Sequence, residues 1–120
     1  MITEDYVSFE TAKLLKEKGF NEGCPTTYTS NGFFHTHNYK PLFGDVFAPT
    51  LQMAMKWLRE KYLLHISIDM VNGGKWEYEI DDISVPFDGG TLPKYYCDKS
   101  FSSYEEAADD AIRYCLEHLI

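Results

Sequence analysis

The chain predicts an α+β fold, with an antiparallel sheet of two hairpins packed against three helices in the order α-ββ-α-ββ-α. Three observations predict it. Apolar residues recur at three- and four-residue intervals in a segment near the start, one in the middle and one at the end. Between them lie two segments of period two, each folded on a turn: Asn31-Gly32 and Asn72-Gly73-Gly74. Finally, 120 residues that are 44% hydrophobic and 16% aromatic suffice for one core in a single domain, 1–120, and are too few for separate cofactor and substrate domains.

The first helix follows Ser8, whose hydroxyl can cap a run from Phe9 to Lys18 with Glu10 near the positive end of the dipole. Gly19 ends it at no Cβ penalty, and Phe20 can fold back on the last turn as in a Schellman cap. The β-branched segment Thr26–Ser30 then meets Asn31-Gly32, which suits a two-residue type I′ turn, and Phe33–Tyr39 returns as a strand. On that strand Phe33, His35, His37 and Tyr39 share one face.

Pro49 suits the first position of a second helix, where its missing N–H costs nothing. Leu51, Ala54, Met55, Leu58 and Tyr62 trace its buried stripe, with Trp57 at the edge. The alternation of Leu64, Ile66, Ile68 and Met70, answered by Trp76, Tyr78 and Ile80, predicts a hairpin with Glu77, Glu79 and Asp81 on the wet face. Residues 82–101, with Pro86, Gly89-Gly90 and Pro93, read as a long loop holding a short strand around Lys94–Cys97. Overlapping capping boxes, Ser102-x-x-Glu105 and Ser103-x-x-Glu106, start the last helix, whose stripe runs from Tyr104 through Ala107, Ala108, Ala111, Ile112 and Cys115 to Leu119.

Charge is unevenly spread. Residues 1–75 hold eight acids and eight bases, whereas residues 76–120 hold eleven acids against Lys94, Lys99 and Arg113, which accounts for the whole net charge of −8. An acidic surface repels phosphate backbones, so duplex nucleic acid is not an expected partner. The same surface could mimic nucleic acid on a basic site of another protein. Three cysteines, an odd number with no C-x-x-C spacing, disfavour a secreted disulfide framework and favour a reducing cytoplasm. Met1–Asp5 carries no basic or apolar leader pattern, and no stretch approaches membrane-spanning length, so neither export nor membrane insertion is expected.

Sites of chemistry are sparse. His35-Thr36-His37 sets two imidazoles on one strand face, a spacing metals use, and Cys24 or Cys97 would complete a tetrahedral zinc site, although paired ligands at C-x-x-C or H-x-x-x-H spacing are absent. His65-x-Ser67 matches half of the tandem H-x-[S/T] pattern of two-histidine phosphoesterases, and the second half is missing. The adjacent carboxylates Asp81/Asp82, Glu105/Glu106 and Asp109/Asp110 read as solvated faces. Neither Gly73-Gly74 nor Gly89-Gly90 sits in a phosphate-binding loop. No catalytic residue is assigned and no cofactor is expected.

The aromatics Tyr28, Phe33, Phe34, Tyr39, Phe43, Phe47, Tyr95 and Tyr96 crowd the first hairpin and the two long loops, and of these Tyr28, Phe33, Phe34, Tyr39, Tyr95 and Tyr96 are the candidate ligand- or partner-binding residues. Three further stretches are diagnostic of kind: Leu14–Phe20, Ala48–Tyr62, and Tyr104-Glu105-Glu106-Ala107 with Tyr114-Cys115-Leu116-Glu117. They resemble a group of short proteins encoded by phages and prophages of gut anaerobes, to which no activity is assigned. The resemblance implies a bacterial host cell as setting and carries no catalytic residue across. The expected function is therefore a non-catalytic cytoplasmic module that binds a host protein or small ligand. The alternatives are a small phosphoesterase or metal-dependent enzyme centred on His35, His37 and His65, and a self-associating structural accessory.

Overall fold

Ser8 starts the first helix as the sequence requires: its Oγ accepts the Thr11 N–H, and α1 runs from Phe9 to Glu17. In the computed structural model, which describes residues 1–36, 42–84 and 94–120, the far end of α1 is a full Schellman cap. Gly19, at φ +94°, donates to Lys16 O at 3.1 Å, and Phe20 donates to Leu15 O at 2.9 Å. This geometry drives the Phe20 ring into the core, edge-on to Trp57.

Two antiparallel sheets form, where the hairpins suggested a single one. The first comprises β1 (Thr27–Tyr28), β2 (Phe34–His35) and β3 (Val46–Phe47) in the order β2-β1-β3. The second comprises β4 (Leu64–Val71), β5 (Lys75–Asp82) and β6 (Tyr95–Phe101) in chain order. The first hairpin closes differently from its Asn-Gly signal. Thr29 pairs with Phe33 across a three-residue loop, and Gly32 alone is left-handed, at φ +86°. A type I turn followed by one left-handed glycine gives this loop, whereas the type I′ turn would need Asn31 left-handed as well. The described part of the returning strand is correspondingly short, and His37 and Tyr39 lie outside the described residues.

The second helix, α2, spans Leu51–Tyr62 and is capped by Thr50, whose side chain accepts the Met53 N–H. Pro49 thus precedes the cap and does not open the helix. It is fully buried, and its carbonyl accepts the Val7 N–H at 3.1 Å, tying the N-terminal segment down. Trp57, placed at the edge of the stripe by periodicity, is in the core, its ring edge-on to both Phe20 and Tyr62. The helix ends at Leu63, left-handed at φ 58°, the one described residue other than glycine with positive φ.

The β4–β5 hairpin forms as predicted, closed by Asn72-Gly73-Gly74, with Leu64 opposite Asp82 through Val71 opposite Lys75. Strand β6 is longer than the segment read from the sequence, reaching Phe101 through a register shift opposite Trp76–Tyr78. The last helix, α3, spans Tyr104–Tyr114 and continues into a wider π turn over Cys115–Leu119. Of its two capping boxes the second is used: Ser103 accepts the Glu106 N–H, while Glu106 itself accepts from the Ser102 hydroxyl at 2.9 Å.

Helix α3 packs across β4, β5 and β6, α2 packs on β4 and on α3, and α1 joins α3 to β3. Leu15, Leu58, Ile80, Ile112 and Leu116 meet in this interior, each wholly buried. Each such side chain contributes about 1.5–3 kcal/mol by leaving water. Ala107, Ala108 and Ala111 let α3 lie close to the sheet, and no described helix is long and apolar enough to cross a membrane.

Candidate functional site

Two turns at the tip of the first sheet build its most exposed apolar surface. The hairpin loop is held by the Gly32–Thr29 and Thr29–Phe33 bonds and by Thr29 Oγ1, which accepts the Phe33 N–H at 3.1 Å. Beside it, Asp45 ties a second turn in both directions: its N–H donates to Leu42 O at 3.0 Å, and its carboxylate accepts the Leu42 N–H at 2.9 Å. Gly44, at φ +88°, brings the turns together, since a Cβ there would stand 3.1 Å from Ser30 Cβ. From this platform Phe33 (66% exposed), Leu42 (72%) and Phe43 (105%) project into solvent, with Phe34 (39%) at their base. Large apolar side chains held out by ordered turns form a surface that loses little entropy when covered.

The aromatics singled out in the sequence divide between the sheets. Tyr28 lies half-buried beneath the tip, its ring 5.5 Å from Phe9 and 5.3 Å from Phe34, its hydroxyl donating to Val7 O at 2.7 Å. Tyr6 flanks Phe34 from the N-terminal segment at 5.0 Å. Tyr95 belongs to the second sheet, where it stacks on Tyr114 at 3.7 Å. Tyr96, also on β6, is exposed, and its hydroxyl donates to Glu77. Tyr39 is outside the described residues. Phe33 and Phe34 are therefore the described members of that set at the tip. Leu42 and Phe43 join them because Gly44 lets one turn lie against the other, a contact no local pattern announces.

The candidate metal and catalytic residues are dispersed. His35 pairs with Thr27 in the first sheet, and His65 pairs with Asp81 in the second. Cys24 lies in the loop before β1, half-buried, with its Sγ 3.6 Å from Thr26 O, whereas Cys97 is buried on β6. Among the described residues no group of three His, Cys, Asp or Glu side chains is arranged to hold a metal; His37 is not among them. The Cys24 and Cys115 thiols are poor nucleophiles. Burial raises the Cys24 thiol above its ordinary range and pushes Cys115, inside the core, up to about 12.

A broad groove of about 690 Å³ runs between the N-terminal segment, the end of β6 and α3, lined among others by Tyr6, Ser8, Lys99, Phe101, Asp109 and Arg113. Two of its carboxylates, Asp109 and Asp110, are committed to the fold, which corrects the reading of Asp109/Asp110 as a solvated pair. Asp109 accepts the Ser8 N–H and Ser8 Oγ–H, each at 2.9 Å, and the Thr11 hydroxyl at 3.0 Å, clamping the start of α1 onto α3. Asp110 accepts the Tyr78 hydroxyl at 2.9 Å and Arg113 at 3.1 Å. Neighbouring residues on a helix point about 100° apart, so one carboxylate reaches α1 and the other reaches the sheet. Burial, and then the hydrogen bond to Asp110, hold the Tyr78 hydroxyl neutral far above its ordinary range.

The outer face of the second sheet carries His65, Ser67 and Asp69 opposite Asp81, Glu79 and Glu77. Partial burial, with Asp81 and Asp69 nearby, raises the Glu79 carboxyl above its usual value. Comparison with known proteins finds no matching family model, no matching curated protein and no matching solved structure.

Proposed function

We propose that the chain is a non-catalytic binding module that docks on a protein through the tip of its first sheet. The observation that carries this reading is the set of Phe33, Leu42 and Phe43, apolar and solvent-facing on turns tied by hydrogen bonds, with the partly exposed Phe34 beside them on β2. Such a surface suits a partner with an apolar cleft, into which one or two aromatic rings insert as anchors. The acidic C-terminal half then steers the approach toward a partner of basic surface, an effect on association rate more than on affinity. Under this reading the setting is the cytoplasm of a bacterial host, as the phage-type segments imply, and the partner is a host protein.

The test compares the wild type with a Phe33→Ser/Phe43→Ser double variant as immobilised bait in lysate of the cells that produce the protein. Both side chains are exposed, so the variant is expected to melt with the wild type. A host protein held by the wild type and lost by the double variant is the expected outcome. Equal capture by both baits removes the tip from the binding surface.

A further inference from the structure

Strand β4 is the free edge of the second sheet. It pairs with β5 over all eight of its residues without a register shift, and among the described residues no main-chain bond outside that ladder reaches it. Edge strands in soluble proteins are ordinarily blunted by proline, lysine, a bulge or shortness. The opposite edge, β6, follows that rule with its register shift and the exposed pair Asp98 and Lys99. In contrast, β4 has no proline, lysine or bulge and is eight residues long, with Asp69 its one acid: it reads Leu64-His65-Ile66-Ser67-Ile68-Asp69-Met70-Val71 and leaves Met70 67% exposed.

That sequence is complementary to itself about Ser67. Cross-strand neighbours in an antiparallel sheet must project to the same face, so a twofold axis through a strand residue pairs positions equally distant from it. Centred on Ser67, Ile66 meets Ile68 of a second copy, His65 meets its Asp69 and Leu64 meets its Met70. Inner-face residues thus meet apolar residues, and outer-face residues meet a hydroxyl or a charge of opposite tendency, each unlike pair formed twice. A centre one residue away matches less well: about Ile66, Asp69 would face Leu63, and about Ile68, His65 would face the apolar Val71 instead of an acid.

We propose that β4 is an isologous interface at which two copies of this chain join antiparallel about Ser67, making one six-stranded sheet. The proposal is independent of the reading of the aromatic tip, which lies on the other sheet. The dimer gives the outward main-chain groups of β4, unpaired among the described residues, hydrogen-bond partners and sets the exposed Met70 opposite Leu64 of the second copy. It also presents two tips per particle, so that a partner with repeated sites would be held by avidity.

The test uses the full chain. Size-exclusion chromatography with light scattering over a dilution series is expected to give twice the 13.9 kDa chain mass. Ser67→Lys places two like charges face to face on the axis and is expected to weaken the dimer about tenfold. Within one chain the new lysine faces Glu79, so folding is not compromised. Register is read by cysteine pairing under mild oxidation, with the wild type as background for Cys24, Cys97 and Cys115. Ser67→Cys brings two sulfurs together across the axis and is expected to crosslink. Asp69→Cys leaves them about 13 Å apart, outside disulfide reach, and is expected not to crosslink. A monomer at every concentration overturns the proposal. So does a dimer that Ser67→Lys leaves intact, or one that crosslinks as readily through Asp69→Cys.

Discussion

Replacing Asp109 with alanine removes the acceptor for three donors on another element: the Ser8 N–H, the Ser8 hydroxyl and the Thr11 hydroxyl. Thr11 is wholly buried, and its hydroxyl is left with only Ser8 Oγ, 3.0 Å away, where water does not reach, at about 1–2 kcal/mol. Ser8 is half-buried, and solvent can replace its carboxylate partner at about 0.5–1 kcal/mol for each bond. Alanine returns about 0.5 kcal/mol through its higher helix propensity. The net loss is about 1.5–3.5 kcal/mol, or a fall of roughly 5–15 °C in Tm for a chain of this size. Urea denaturation followed by Trp57 fluorescence measures it, since that ring packs against Phe20 and Tyr62 in the core. The companion Thr11→Val removes the buried donor, so the Thr11→Val/Asp109→Ala double variant is expected to lose less than the sum of the two single changes. A loss below about 1 kcal/mol for Asp109→Ala, or strict additivity in the cycle, would refute the clamp.

Other expectations are independent of it. Stability should fall at alkaline pH: Tyr78 and Cys115 titrate from 10.0 and 9.0 in the unfolded chain but are held higher in the fold, Cys115 at about 12. The unfolded state then loses protons first, so urea midpoints decline from about pH 9 upward. Cys115→Ala should flatten the part of that decline between pH 9 and 12. At Leu63, a glycine should raise the unfolding free energy measured in urea by about 0.5–1 kcal/mol, because the left-handed backbone strains a side chain that is exposed. Gly32→Ala should cost about 1–2 kcal/mol by differential scanning calorimetry, since its φ is +86° and the new Cβ would stand 3.1 Å from the Phe9 ring.

The three helices, both N-caps bearing serine, the Schellman end of α1 and the β4–β5 hairpin were all legible, because each depends on residues within a few positions of one another. Even the self-complementarity about Ser67 is a property of eight consecutive residues, given a strand. Local signals failed where another part of the chain had a claim on the residue. Pro49 was drawn out of the helix by Val7, Asn31-Gly32 accommodated one more loop residue than the type I′ turn, and β6 extended because β5 offered it an edge. Adjacent carboxylates could not reveal that Asp109 caps a distant helix start while Asp110 holds Tyr78, since their partners lie 101 and 32 positions away in sequence. The sequence by itself therefore determined the elements and their apolar faces, which follow from short-range sterics and periodicity. Tertiary structure alone decided that the hairpins join separate sheets and that Phe33 and Phe43 project into solvent from adjoining turns, because contacts between distant residues are set by how the whole chain packs.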